Sequence, residues 1–68
     1  LAWSMYVEQE DGTFRGHLRS KGPTVNHIAQ AFGGGGHTLA CGIPSVTKSQ
    51  ILEVDAELKE AVSNFKKN

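Results

Sequence analysis

The stretch Ala2-Trp3-Ser4-Met5-Tyr6-Val7-Glu8-Gln9-Glu10-Asp11-Gly12-Thr13-Phe14-Arg15-Gly16-His17-Leu18-Arg19-Ser20 decides the fold. Its first half alternates, with Trp3, Met5 and Val7 on one side and Ser4, Tyr6 and Glu8 on the other, the period of a half-buried strand. Its second half alternates again, Phe14, Gly16 and Leu18 against Arg15, His17 and Arg19. Asp11-Gly12 between them is the signature of a two-residue type I′ turn. Closing a hairpin there pairs Glu10 with Thr13, sets Met5 opposite Leu18 on the core side, and brings Glu8 to Arg15 and Tyr6 to His17. The expectation is a hairpin whose Trp3/Met5 face is core.

Outward from the hairpin, Lys21-Gly22-Pro23 breaks the second strand. Thr24 or Asn26 can cap a short helix to about Phe32, with Val25, Ile28, Ala29 and Phe32 on one face. Gly33 fits the C′ position that ends it, and Gly34, Gly35 and Gly36 read as a loop up to His37. Leu39 to Val46 is apolar enough for a buried strand that Pro44 ends or places at an edge. Thr47 and Gln50 form a capping-box pattern for a final helix to about Phe65, with Ile51, Val54, Leu58, Ala61 or Val62, and Phe65 as its buried stripe. Asp55 and Lys59 stand four apart on its outer side. The order β-β-α-β-α predicts an α+β fold: a small sheet with an N-terminal hairpin and two helices packed on one face.

Composition narrows the function. Sixty-eight residues make one domain with a marginal core. A single cysteine, Cys41, gives no disulfide framework, which fits a reducing, cytoplasmic setting. No apolar run approaches a membrane span. The net charge of zero hides a pattern. No acid lies between Gly12 and Leu52, a stretch holding Arg15, Arg19, Lys21, Lys48, all three histidines and all eight glycines. Such a middle suits an anion, or is simply a solvated basic face.

Within it, the run Gly33–Gly36 before His37 is costly to order in a marginal domain. It reads either as a hinge or as a loop whose N–H groups approach an oxyanion, with His37 as a further donor. It is neither a P-loop nor a dinucleotide fingerprint. Arg19 can offer a planar fork to a phosphate, and Ser20 a hydroxyl. Cys41 reads as a buried apolar residue, since its spacing to His37 suits no zinc finger. His17 and His27 read as surface residues. The acid-free middle offers no carboxylate cluster for a hard divalent metal.

Leu18-Arg19-Ser20-Lys21-Gly22, Val25-Asn26, Ile28-Ala29, the run Gly33-Gly34-Gly35-Gly36-His37 and Leu39-Ala40-x-Gly42 together resemble the DHHA1 domain of DHH-family phosphoesterases. The likeness spans residues 1–68. Thr38 stands where proline is common and Cys41 where serine or alanine is usual. The resemblance implies that this is the C-terminal substrate-binding domain of a hydrolase acting on short oligonucleotides or phosphoadenosine phosphate. Arg19, Ser20, Gly33, Gly34, Gly35, Gly36 and His37 would grip the substrate. A manganese centre would belong to a preceding DHH domain absent from this chain, leaving the 68 residues with no cofactor and no activity of their own. The parent would be cytoplasmic, and a homodimer is conceivable. A second reading is a stand-alone or synthetase-appended nucleic-acid-binding module; a synthetase-type DHHA1 tends to lack the histidine after its glycines, so His37 weighs against it. A third is a structural domain whose glycines are a hinge.

Overall fold

The computed structural model describes residues 1–67. The elements are β1 (Ala2–Glu8), β2 (Phe14–Ser20), α1 (Asn26–Ala31), β3 (Gly35–His37), β4 (Ala40–Val46) and α2 (Lys48–Lys67). The four strands form one antiparallel sheet in the order β1-β2-β4-β3. Both helices cover one face, where Leu18, Cys41, Ile43 and Val46 of the sheet meet Val25, Ile28, Ala29, Val54 and Leu58. The α+β class and the two helices on one face agree with the sequence reading. The extra strand is β3, formed by residues expected to be loop: Gly35 and Gly36 enter the sheet with His37, and Thr38-Leu39 turns into β4.

The hairpin differs from its expected register by one residue, and the turn is the reason. Gln9 N–H donates to the Thr13 carbonyl at 2.8 Å, which makes Glu10-Asp11-Gly12 a three-residue loop with Gly12 at φ 88°. The Asp11 carboxylate accepts from the Thr13 N–H and hydroxyl at 3.0 and 2.6 Å and braces that loop. Ser4 then pairs with Leu18, Tyr6 with Gly16 and Val7 with Arg15. A one-residue slip turns every side chain of a strand over. Trp3, Met5 and Val7, expected in the core, are 43 %, 49 % and 58 % exposed, while Ser4 and Tyr6 face the helices.

Tertiary contacts stabilise this inversion. The Tyr6 ring lies over Gly16, where a Cβ would come within 3.2 Å of it. The Ser4 and Tyr6 hydroxyls both donate to Asp55 Oδ1 on α2 at 2.8 Å. Burial, reinforced by that carboxylate, pushes the Tyr6 phenol up to about 12. Asp55 therefore faces the sheet rather than serving an outer pair with Lys59.

The helix ends are mostly as read. Thr47 and Gln50 close the reciprocal capping box, Thr47 N–H to Gln50 Oε1 at 2.8 Å and Gln50 N–H to Thr47 Oγ1 at 3.3 Å. α1 starts differently: its N-cap is Val25, without a side-chain cap. What fixes that end is the Val25 N–H, which donates to the Thr38 carbonyl of the β3–β4 turn at 2.8 Å. No described helix is long and apolar enough to cross a membrane.

Candidate functional site

The side of the sheet away from the helices is open. Because β2 packs Phe14, Gly16, Leu18 and Ser20 towards the helices, it turns Arg15, His17 and Arg19 out onto this face. The register aligns Trp3, Arg19, Ala40 and His37 in one row across all four strands. A second row runs Met5, His17, Gly42 and Gly35. Arg19 and His37 thus share a face with only the small Ala40 between them, about 10 Å apart along the backbone at two strand spacings. Glycines 35 and 42 floor the neighbouring row. Beside it, Arg15, His17, Gly42 and Pro44 border a shallow hollow of about 180 Å³.

Arg19 is half-buried, and its Nη1 donates to the carbonyls of Leu18 at 2.9 Å and Cys41 at 3.4 Å. Those contacts draw the guanidinium from β2 towards β4 and so towards the His37 side. His37 is exposed on β3, the outer strand. Cys41 points to the core, 4 % exposed, where burial pushes its thiol up and Arg19 only partly offsets this.

The remaining candidates have other partners. Ser20 lies on the helix side, buried, its hydroxyl donating to the Pro23 carbonyl at 2.6 Å and accepting from the Gly22 N–H at 3.1 Å. It organises the turn that follows Arg19. Gly33 and Gly34 complete a Schellman cap on α1: their N–H groups donate to Gln30 at 3.2 Å and Ala29 at 2.7 Å, with Gly33 at φ 87°. Those two N–H groups therefore serve the helix end instead of turning towards an anion. Gly34 and Gly36 also sit where a Cβ would strike backbone, 2.0 Å from the Gly42 carbonyl oxygen and 2.8 Å from Cys41 Cα. Gly35 alone of the four has neither positive φ nor a neighbour within 4 Å of its Cβ position, so it opens onto the face.

The sequence reading put His17 on the exposed side with Arg19 but not among the site residues, and put Trp3 in the core. The signal for His17 was present, since the alternation that buries Leu18 exposes His17 with Arg19. Trp3 could not be placed without the register. Among the described residues no three His, Cys, Asp or Glu side chains converge as a metal would require. The donors among the described residues thus do not fit a catalytic manganese ion.

Comparison with known sequences places the chain in a family. The DHHA1 domain family matches residues 1–64. A Streptococcus mutans protein named probable bifunctional oligoribonuclease and PAP phosphatase NrnA is 42% identical over 57 residues, covering 84% of this chain and 18% of its own length. Proteins named bifunctional oligoribonuclease and PAP phosphatase NrnA are 49% identical over 41 residues in Bacillus subtilis and 40% over 63 residues in Mycoplasma genitalium. The first covers 60% of this chain and 13% of its own length, the second 91% and 20%. The chain spans at most a fifth of the length of these relatives. With the match running through both rows of the open face, the chain belongs to the DHHA1 domain family.

Proposed function

We propose that the open face holds the phosphate end of a short oligonucleotide or of phosphoadenosine phosphate, as the substrate clamp of a larger hydrolase. The observation that carries the reading is the row Arg19–Ala40–His37, two donors flanking a small residue on a helix-free face floored by Gly35 and Gly42. Arg19 would present the rest of its fork to a phosphate while Nη1 keeps its carbonyl contacts. His37 would donate from the other side, and the missing side chains at Gly35 and Gly42 would let a flat nucleotide approach the strands. Ser20 and the Gly33–Gly34 cap act here by holding the ends of β2 and α1 in place, and Gly36 by lying close to β4. The chain's part in the reaction is to position the phosphoester. Bond cleavage belongs to a manganese centre in a preceding DHH domain of the parent, with cytoplasmic location as the setting.

The test is titration of the parent with phosphoadenosine phosphate and with a dinucleotide, comparing wild type, Arg19→Ala and His37→Ala. Arg19→Ala is expected to weaken binding by about 1.5–3 kcal/mol, the range for a hydrogen bond to a charged group, and His37→Ala by less. Unchanged affinity in folded Arg19→Ala would overturn the reading.

A further inference from the structure

The end of β2 away from Arg19 carries donors that the clamp does not use. β2 directs Arg15, His17 and Arg19 to one side, at steps of about 7 Å for every two residues. His17 stands opposite Gly42, so no side chain lies across from its ring. Beyond it the ladder is irregular. Phe14 pairs with Val46 and Gly16 with Ile43, which sets Pro44 and Ser45 of β4 against Arg15 alone, a β-bulge. Gln9 pins the bulge, its Nε2 donating to the Pro44 carbonyl at 3.0 Å and to Thr13 Oγ1 at 3.1 Å. The hollow of about 180 Å³ lies here, lined by Arg15, Gly16, His17, Gly42, Ile43 and Pro44. The acid expected to neutralise Arg15 is on the other side. The three-residue turn pairs Arg15 with Val7 and moves Glu8 opposite Phe14, which packs towards the core. Among the described residues, no side-chain hydrogen bond or ion pair engages Arg15 or His17.

We infer that this hollow takes a second phosphate of the substrate, one sugar–phosphate unit along β2 from the phosphate at Arg19. It rests on Arg19 as the grip for the first phosphate. The two residues from Arg19 to His17 span about 7 Å, an interval that one sugar–phosphate unit can bridge. Size selects the group. A volume of about 180 Å³ is below the roughly 300–1,000 Å³ of a site that encloses a whole small molecule. It suits a phosphate and leaves sugar and base above the strands. Arg15 brings a planar fork that can hold two oxygens at once, and His17 an N–H from the next outward position. The Pro44 carbonyl is taken up by Gln9 rather than left as a bare acceptor. The substrates favoured are those with two phosphates on one sugar or on adjoining sugars: phosphoadenosine phosphate, or a dinucleotide bearing a 5′-phosphate. A dinucleotide ending in a 5′-hydroxyl has a single phosphodiester and leaves the hollow unfilled.

The test is kcat/KM of the parent for one dinucleotide with and without its 5′-phosphate, in wild type, Arg15→Ala/His17→Ala, Arg15→Lys and Arg19→Ala, each with a thermal melt. Wild type is expected to prefer the 5′-phosphorylated form by about tenfold or more, the return on a hydrogen bond to a charged group. Arg15→Ala/His17→Ala is expected to remove most of that preference, through KM rather than kcat, with the melt unchanged. Arg15→Lys keeps the charge without the fork and is expected to retain part of it. Arg19→Ala is expected to lower both substrates by a similar factor and leave the preference standing. A wild type without the preference, or a preference that survives Arg15→Ala/His17→Ala, overturns the second subsite and leaves the Arg19 clamp untouched. Loss of the preference in Arg15→Ala/His17→Ala, with neither substrate sensitive to Arg19→Ala, supports the hollow as a phosphate site and overturns the clamp instead.

Discussion

Adding a side chain at each of Gly33 to Gly36 in turn should separate folding from binding. At Gly34 a Cβ would stand 2.0 Å from the Gly42 oxygen and 2.8 Å from Ile43 Cα, against ordinary contact beyond 3.4 Å. Both neighbours are backbone of β4, so the strand and the α1 cap must part by about 1.4 Å. That displaces the Gly34 N–H from Ala29, a net loss of about 1 kcal/mol, and loosens the packing of Ile28 and Ala29 on Ile43 as an overpacked core does, about 1–3 kcal/mol. Gly34→Ala should therefore cost about 2–4 kcal/mol, which at about 4–8 °C per kcal/mol for a domain of this size lowers the melting temperature by about 8–32 °C. Gly36→Ala should be comparably damaging, because its φ of 135° compounds a 2.8 Å approach to Cys41 Cα. Gly33→Ala should cost about 1 kcal/mol, for its positive φ alone. Gly35→Val meets nothing and sits in a strand, so it should melt within about 0.5 kcal/mol of wild type while putting two methyl groups onto the open face beside His37. Thermal melts followed by circular dichroism give the stability order, and titration of the parent with phosphoadenosine phosphate gives binding. A wild-type melt for Gly34→Ala, or unfolding of Gly35→Val, would refute the packing argument. Full affinity in folded Gly35→Val would refute the open face as the site.

Other expectations follow from single contacts. Ser20→Ala should destabilise the domain by about 1–3 kcal/mol, because the part-buried Gly22 N–H and the buried Pro23 carbonyl lose their partner; a melt matching wild type would show that the turn does not depend on this hydroxyl. Tyr6 titrates at about 12 in the folded chain against an ordinary 10.0, so the stability it contributes is whole below pH 10 and lost as pH rises towards 12. Chemical denaturation between pH 9 and 12 should show that loss in wild type, and Tyr6→Phe should remove this part of the slope. The 68 residues alone should hydrolyse no dinucleotide with or without manganese, because two metal ions need a carboxylate cluster that they do not supply; turnover by the purified chain would contradict this.

Local chemistry was enough for much of this protein. The alternation of β2, the reciprocal Thr47/Gln50 cap, the C′ role of Gly33 and the apolar stripe Val54/Leu58 each depend on residues within a few positions of one another, and each is found as the sequence reads. The pairing of Arg19 with His37 as candidates rested on resemblance, and the strand order brings them onto one face. The face of β1 was out of reach of any local rule. Its apolar residues Trp3, Met5 and Val7 are the more hydrophobic set, and burial by composition selects them. The native choice buries Ser4 and Tyr6 because Asp55, about fifty residues away, satisfies both hydroxyls, while Gly16 leaves space for the Tyr6 ring. One extra residue in the turn makes that register possible. Likewise the four glycines are identical in sequence and differ only through what lies opposite them: a helix end, a carbonyl of β4, open space and Cys41. Sequence determined where β2, β4 and α2 lie, since propensity and capping act over short range, but not that Gly35–His37 form β3. Tertiary structure decided which side of β1 is inside and which glycine opens onto the helix-free face, since both depend on atoms brought together only when α2 and β4 close on the sheet.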